Sequence, residues 1–192
     1  MTTQLSTPDA TELGVGAGYL ALLDAAHDRV VPGGLVANPA GIAIASARRL
    51  PDAPPTRFGL AVVRDLAPAE PDTLAAFGAE LLAAHRTLLR GTIDYAIARL
   101  DGRTSAGTTL LNRQLVQGSL AEVALAVRDE ETRAELEGVA NAAARRYRFQ
   151  ALRTANRELL RLLGARGFLT DSPGADLHLT EVAGSVYLEV TA

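Results

Sequence analysis

The run Pro71-Asp72-Thr73-Leu74-Ala75-Ala76-Phe77-Gly78-Ala79-Glu80-Leu81-Leu82-Ala83-Ala84-His85-Arg86-Thr87-Leu88-Leu89 decides the fold class. Leu74, Phe77, Leu81, Ala84, Leu88 and, further on, Tyr95 follow at steps of three, four and seven, which on a helix keeps them to one face. Asp72, directly after Pro71, is an N-cap residue type in the right place. No proline recurs before Gly164, so the spacing predicts a long helix running to about Leu100.

Toward the C-terminus, Gly102 to Thr109 reads as a loop leading into a second helix with Leu115, Leu120, Val123 and Val127 inward. Asp129, Glu130 and Glu131 stand where a third helix would begin, acids placed against its positive N-terminal end. The stripe of that helix is Leu136, Val139, Phe149, Leu152, Asn156, Leu159 and Leu163, and Gly164 stops it. Beyond the turn Asp171-Ser172-Pro173-Gly174, residues Ala175 to Val186 form a short amphipathic element. Short connections between long helices predict nearly antiparallel packing.

Toward the N-terminus the texture changes to Gly and Pro. Glu12 to Asp28 carries Leu13, Ala17, Leu20 and Leu23 at helical spacing, weakened at its start by Gly14, Gly16 and Gly18. The glycines suggest a dinucleotide loop, but no strand precedes them, so they read as a helix start. Gly41 to Ala45 and Phe58 to Val63 are apolar runs separated by Pro51-Asp52-Ala53-Pro54-Pro55, which predicts a β-hairpin. The expected architecture is mostly α: a helical bundle over residues 71–192 with a small α/β appendage over residues 1–70.

Composition narrows the chemistry. The 192 residues include no cysteine, and all 19 basic residues are arginine. Thiolate metal sites, cysteine nucleophiles, Schiff-base catalysis and a Walker lysine are therefore excluded. His27, His85 and His178 are far apart, so no metal site is expected. A net charge of −3 argues against nucleic acid as a partner. No apolar run of membrane-spanning length and no leader-like segment stands out, so a cytoplasmic protein without a membrane partner is expected. Arg146, Arg153, Arg157 and Arg161 share a face of the third helix, either as a phosphate-holding row or as a solvated face paired with acids.

Order along the chain is more specific. Arg103-Thr104-Ser105-Ala106-Gly107 is followed by Leu110, Gln114, Gln117 and Leu120-Ala121-Glu122, and later by Leu162-Leu163-Gly164-Ala165-Arg166-Gly167-Phe168-Leu169. This resembles the C-terminal helical domain of the acyl-CoA dehydrogenase family, with its R-x-x-F-G-x-x-L-x-x-x-Q-x-x-Q-x-x-L-A-(D/E) pattern and, one long helix later, L-x-G-G-x-G-(Y/F). The match from Arg103 to Gln117 has no gap.

The resemblance implies an acyl-CoA dehydrogenase-like bundle, an FAD cofactor and an acyl thioester substrate carried by CoA or a carrier protein. Arg103 and Gln114 match family positions that contact the FAD pyrophosphate, usually from a neighbouring subunit, a role suited to a guanidinium fork and a neutral amide donor. Gly164 and Gly167 match the turn that lets the adenine portion approach the backbone. The family's catalytic Tyr-Glu-Gly-Thr turn falls on Tyr187-Leu188-Glu189-Val190, so Glu189, one residue late, is one candidate base. Glu80, on the first long helix, is the other, because some relatives place their base on the equivalent helix. Association through the bundle is implied, as a homo-oligomer or with a fuller family member.

Ala106, Ala165, Leu188 and Arg161 stand where the family pattern has an aromatic, a glycine, the base and a glutamine. They point to the alternative: a degenerate, flavin-free member that serves as a binding or assembly module or catalyses non-redox biosynthetic chemistry in the old pocket.

Overall fold

The computed structural model describes residues 18–137, 141–169 and 172–189. Its elements are α1 (Tyr19–Val30), β1 (Ala43–Ser46), β2 (Leu60–Val63), α2 (Pro71–Asp101), β3 (Thr104–Ser105), β4 (Thr108–Thr109), α3 (Gln114–Glu137), α4 (Ala142–Leu163), a short 3-10 turn (Gly164–Phe168) and α5 (Pro173–Tyr187). Three long helices, α2, α3 and α4, are present as expected, with the boundary between the last two displaced. Cross-links tie them together: Arg86 and Arg90 of α2 reach Glu130 and Glu131 of α3, Leu111 N bonds Leu100 O across the short link between these two helices, and Ser119 of α3 bonds Glu158 of α4. The pairs Ser119–Glu158 and Glu130–Arg148 run in opposite order along α3 and α4, so these two helices are antiparallel.

α2 is central rather than one-sided. Besides Phe77, Leu81, Ala84, Leu88 and Tyr95, it buries Leu82, His85, Leu89, Thr92 and Ala96. The second face is used because α1, α3, α4 and α5 all pack against it. α1 covers part of this apolar surface, and Tyr19, Leu23, Val36, Ile44 and Leu60 from the N-terminal part join the same hydrophobic core as the bundle. α1 begins after Gly18; Gly14, Gly16, Leu13 and Ala17 lie outside the described residues.

The expected hairpin forms. β1 and β2 pair antiparallel, Ala43 opposite Val63 and Ser46 opposite Leu60. Polar bonds fix it to α5: the Asn38 amide donates to the Val186 carbonyl, and the Tyr187 hydroxyl donates to Val36 O and accepts from Ile44 N. His27 accepts from Val36 N at Nδ1 and bonds Ile44 O through Nε2, which fixes a neutral tautomer. Burial lowers its pKa further.

Four expectations need correction. The third helix does not start at Asp129: α3 continues to Glu137, and α4 starts after Asn141, whose side chain accepts from Ala144 N at 2.9 Å. Glu130 instead extends the inward series Leu120, Val123 and Val127 by one more step of three, and only 2% of it is exposed. Leu115 and Leu136, taken as inward, are 87% and 80% exposed, because the buried register of α3 runs through Val116 rather than Leu115. Residues 102–109 form a tight two-residue hairpin, β3–β4, whose turn holds Ala106 at φ 50° and Gly107 at φ 80°. Val139 lies outside the described residues.

At the crossing of α4 and α5, Gly184 presses on the Phe149 ring so closely that a Cβ there would lie 2.0 Å from it. Glycine is required for that approach.

Candidate functional site

The antiparallel packing brings the end of α2, the start of α3 and the end of α4 to one end of the bundle. Arg103, just past α2, and Gln114, the first residue of α3, both lie there with exposed side chains. The β3–β4 hairpin links them: Leu110 N bonds Arg103 O at 2.7 Å, and Arg113 Nη2 bonds Ser105 O at 2.7 Å. Gly164 and Gly167 are at the same end, in the 3-10 turn that closes α4. Gly164 has φ 64°, a conformation that favours glycine, while Gly167 packs under Leu160, Leu163 and Gly174. Four residues from three places in the sequence thus share one end.

The two candidate bases do not join them. Glu80 belongs to the first third of α2, about 30 Å along the helix from Arg103, and is bonded to Arg29 of α1 at 2.6 Å. Glu189 follows α5 and accepts from Arg153 Nη1 at 2.8 Å, from Ser185 Oγ at 2.9 Å and from the Gln150 amide. Arg153 precedes the end of α4 by about 15 Å. The two acids also oppose each other across α2: Gly78 faces Arg145 and Leu188, whereas Glu80, two residues on, faces α1. Leu188, between Tyr187 and Glu189, is buried.

Of the arginine row on α4, Arg153, Arg157 and Arg161 are paired with acids. Arg153 and Arg157 reach Glu181 at 3.4 and 3.5 Å, and Arg161 reaches Glu158 at 2.8 Å. The strongest ionic group is elsewhere and was legible only in the spacing of α3. Glu130, buried in the bundle, accepts from Arg148 Nη2 at 2.6 Å and from Arg86 Nη1 at 3.0 Å.

Two cavities flank Phe58, the aromatic side chain of the β1–β2 loop. One of about 600 Å³ lies between α1, the hairpin and the start of α5, with Asp24, Ser46, Arg57 and Asp176 in its wall. The other, of about 470 Å³, is lined by Leu160, Leu169 and Gly167, with Arg157 and His178 beside them. The His178 ring meets Phe58 tilted by 57°, with ring centroids 5.3 Å apart. Ser46, Asp24 and His27 lie close in the fold, yet they are not a nucleophilic triad: both His27 nitrogens are engaged by backbone groups, and the Ser46 hydroxyl donates to Asp24 at 2.5 Å.

No protein-family model matches the chain, and no curated protein matches it significantly. Among the described residues, no helix is long and apolar enough to cross a membrane, and no cluster of three or more acidic, histidine or cysteine side chains is arranged to hold a metal ion.

The bundle end offers part of what a flavin dinucleotide would need. An exposed guanidinium and an exposed amide donor are the right chemistry for the edge of a diphosphate. The same end has no carboxylate of the candidate pair beside it. The residues therefore fit one side of such a group.

Proposed function

We propose that this chain is an acyl-CoA dehydrogenase-like small subunit of a flavin-dependent oxidoreductase acting on the CH–CH group of an acyl thioester, bound to CoA or a carrier protein in the cytoplasm. Its bundle end lends Arg103 and Gln114 to the diphosphate of an FAD held mainly by a fuller family member. The observation that carries the reading is the exposure of these two side chains at one end of the bundle, apart from both candidate bases. An exposed pair at a tip serves a neighbouring subunit better than its own chain, and Gly164, with open space where a Cβ would stand, leaves room beside it for a close approach of backbone, whereas Gly167 is buried against Leu160 and Leu163.

The bound flavin supplies the electron acceptor. This chain orients and neutralises the diphosphate, while Glu80 and Glu189, each held in an ion pair, serve packing between helices. The proton-abstracting base belongs to the partner. That same pairing favours the second reading, a flavin-free binding or assembly module.

Co-purification with a fuller family member of the same cell, followed by the flavin absorbance of the complex, tests this. Arg103→Ala should weaken flavin retention about tenfold to a hundredfold, the worth of a charge-assisted bond. Arg128→Ala, an exposed arginine on α3 about 20 Å from Gln114, should change it little. Equal losses would refute the role of Arg103, and a wild-type complex without flavin would favour the flavin-free module.

A further inference from the structure

The larger cavity is separate from the bundle end and carries its own charge pattern. Asp176, in the first turn of α5, lines it and accepts the Tyr19 backbone N–H at 2.8 Å, which caps the start of α1. That bond uses one of its oxygens. No arginine or histidine among the described residues forms an ion pair with it. Asp24, on the same wall, differs: its carboxylate accepts Ser46 N at 3.0 Å and Ser46 Oγ at 2.5 Å, and Arg48 stands 3.9 Å away. Burial holds the Asp176 carboxyl above the usual carboxylate range despite the Tyr19 amide, as expected for a desolvated acid without a cation.

Leu20, Leu179 and Phe58 form the apolar wall. Arg48 and Arg57 form the outer rim, both exposed, with the Arg57 guanidinium 5.6 Å from the centre of the Phe58 ring. A negative group within and two positive groups outside select the orientation of a dipolar ligand. We propose that this cavity binds a small zwitterion with an apolar body, its ammonium group on Asp176, its body against Phe58 and Leu179, and its carboxylate at Arg57 and Arg48. The volume of about 600 Å³ accommodates one aromatic ring with two short arms. The inference is independent of the flavin reading.

Calorimetric titration of the purified chain with para-(aminomethyl)benzoate, benzylamine and benzoate tests it. The zwitterion should bind tightest and benzoate weakest. Asp176→Asn keeps an acceptor for Tyr19 N while removing the charge, so it should melt near the wild-type temperature and bind the zwitterion at least tenfold more weakly. Arg57→Ala, in an exposed loop, should weaken the zwitterion severalfold and leave benzylamine unchanged. Binding of benzoate as tight as the zwitterion, no binding of the zwitterion to the wild type, or an unaltered affinity in a folded Asp176→Asn would overturn the proposal. The ligand comparison on the wild type decides the matter even if that variant does not fold.

Discussion

Two carboxylates in this molecule each hold two arginines, in opposite surroundings. Glu130 is 2% exposed and sits between Arg86 and Arg148 in the interior of the bundle, at 3.0 and 2.6 Å. Glu181 sits between Arg153 and Arg157 on the outside of the α4–α5 pair, at 3.4 and 3.5 Å, with its side chain 21% exposed. The residue types are the same, and the surroundings decide what each arrangement does. Inside, desolvation makes every hydrogen bond of the carboxylate indispensable, since a lone buried charge is costly. Outside, water replaces a lost partner at little cost.

The comparison breaks first at Glu130. Glu130→Ala removes the carboxylate shared by Arg86 and Arg148, the latter 4% exposed, and should destabilise the fold by about 3–5 kcal/mol. Urea unfolding followed by circular dichroism measures this. A loss below about 1 kcal/mol would mean that water or another acid replaces Glu130, and the contrast with Glu181 would vanish.

How far the sequence could lead is visible in the same residues. The stripes of α2 and α4 were legible because Leu, Phe and Leu at helical steps have one physical use, and nearly all of them are buried. Glu130 followed the same arithmetic after Val123 and Val127, but an acid beside two others looks like a helix start, and only the approach of Arg86 and Arg148 from two other helices turns it inward. The break before α4 depends on the local bond from Ala144 N to Asn141, which periodicity does not register. At the candidate site, spacing placed Arg103 and Gln114 on either side of one turn, and the fold brings Gly164 and Gly167 to the same end. It parts Glu80 and Glu189 from them because each has a nearer cation, Arg29 and Arg153, and such pairings come from packing across more than 30 residues of chain. The Asp176 cavity left no signal, since its walls come from three distant segments.

A second way to sharpen the comparison uses a buried titratable group that no acid among the described residues pairs with. His85, the residue before Arg86, is 2% exposed, its Nε2 has no hydrogen-bond partner among the described residues, and burial lowers its pKa to about 3. The unfolded chain takes up this proton near pH 6.5, whereas the folded chain does so only near pH 3. Between those values the unfolded state binds more protons, so stability falls as the pH is lowered, by about 1.4 kcal/mol per pH unit from this residue. His85→Leu should flatten the acid side of the stability curve by about one proton, read from unfolding midpoints across the range. An unchanged slope would mean that His85 is protonated in the fold, paired with an acid of the bundle.

The smallest expected effect lies on the outer pair. Arg157 is 58% exposed, its contact with Glu181 is long, and Arg153 stays beside the same carboxylate when Arg157 is removed. Arg157→Ala should therefore change stability by no more than about 0.5 kcal/mol, and moderate salt should erase even that, because exposed charges are screened over about 10 Å at 0.1 M. Arg148→Ala measured alongside should cost several times more and respond little to salt, since its charge is shielded from mobile ions by the helices around it. The pair of variants removes one guanidinium each from a carboxylate that holds two. A similar loss at both positions would show that charge number, not burial, sets the worth of these contacts, whereas a large difference that salt widens ties it to the exclusion of water around Glu130.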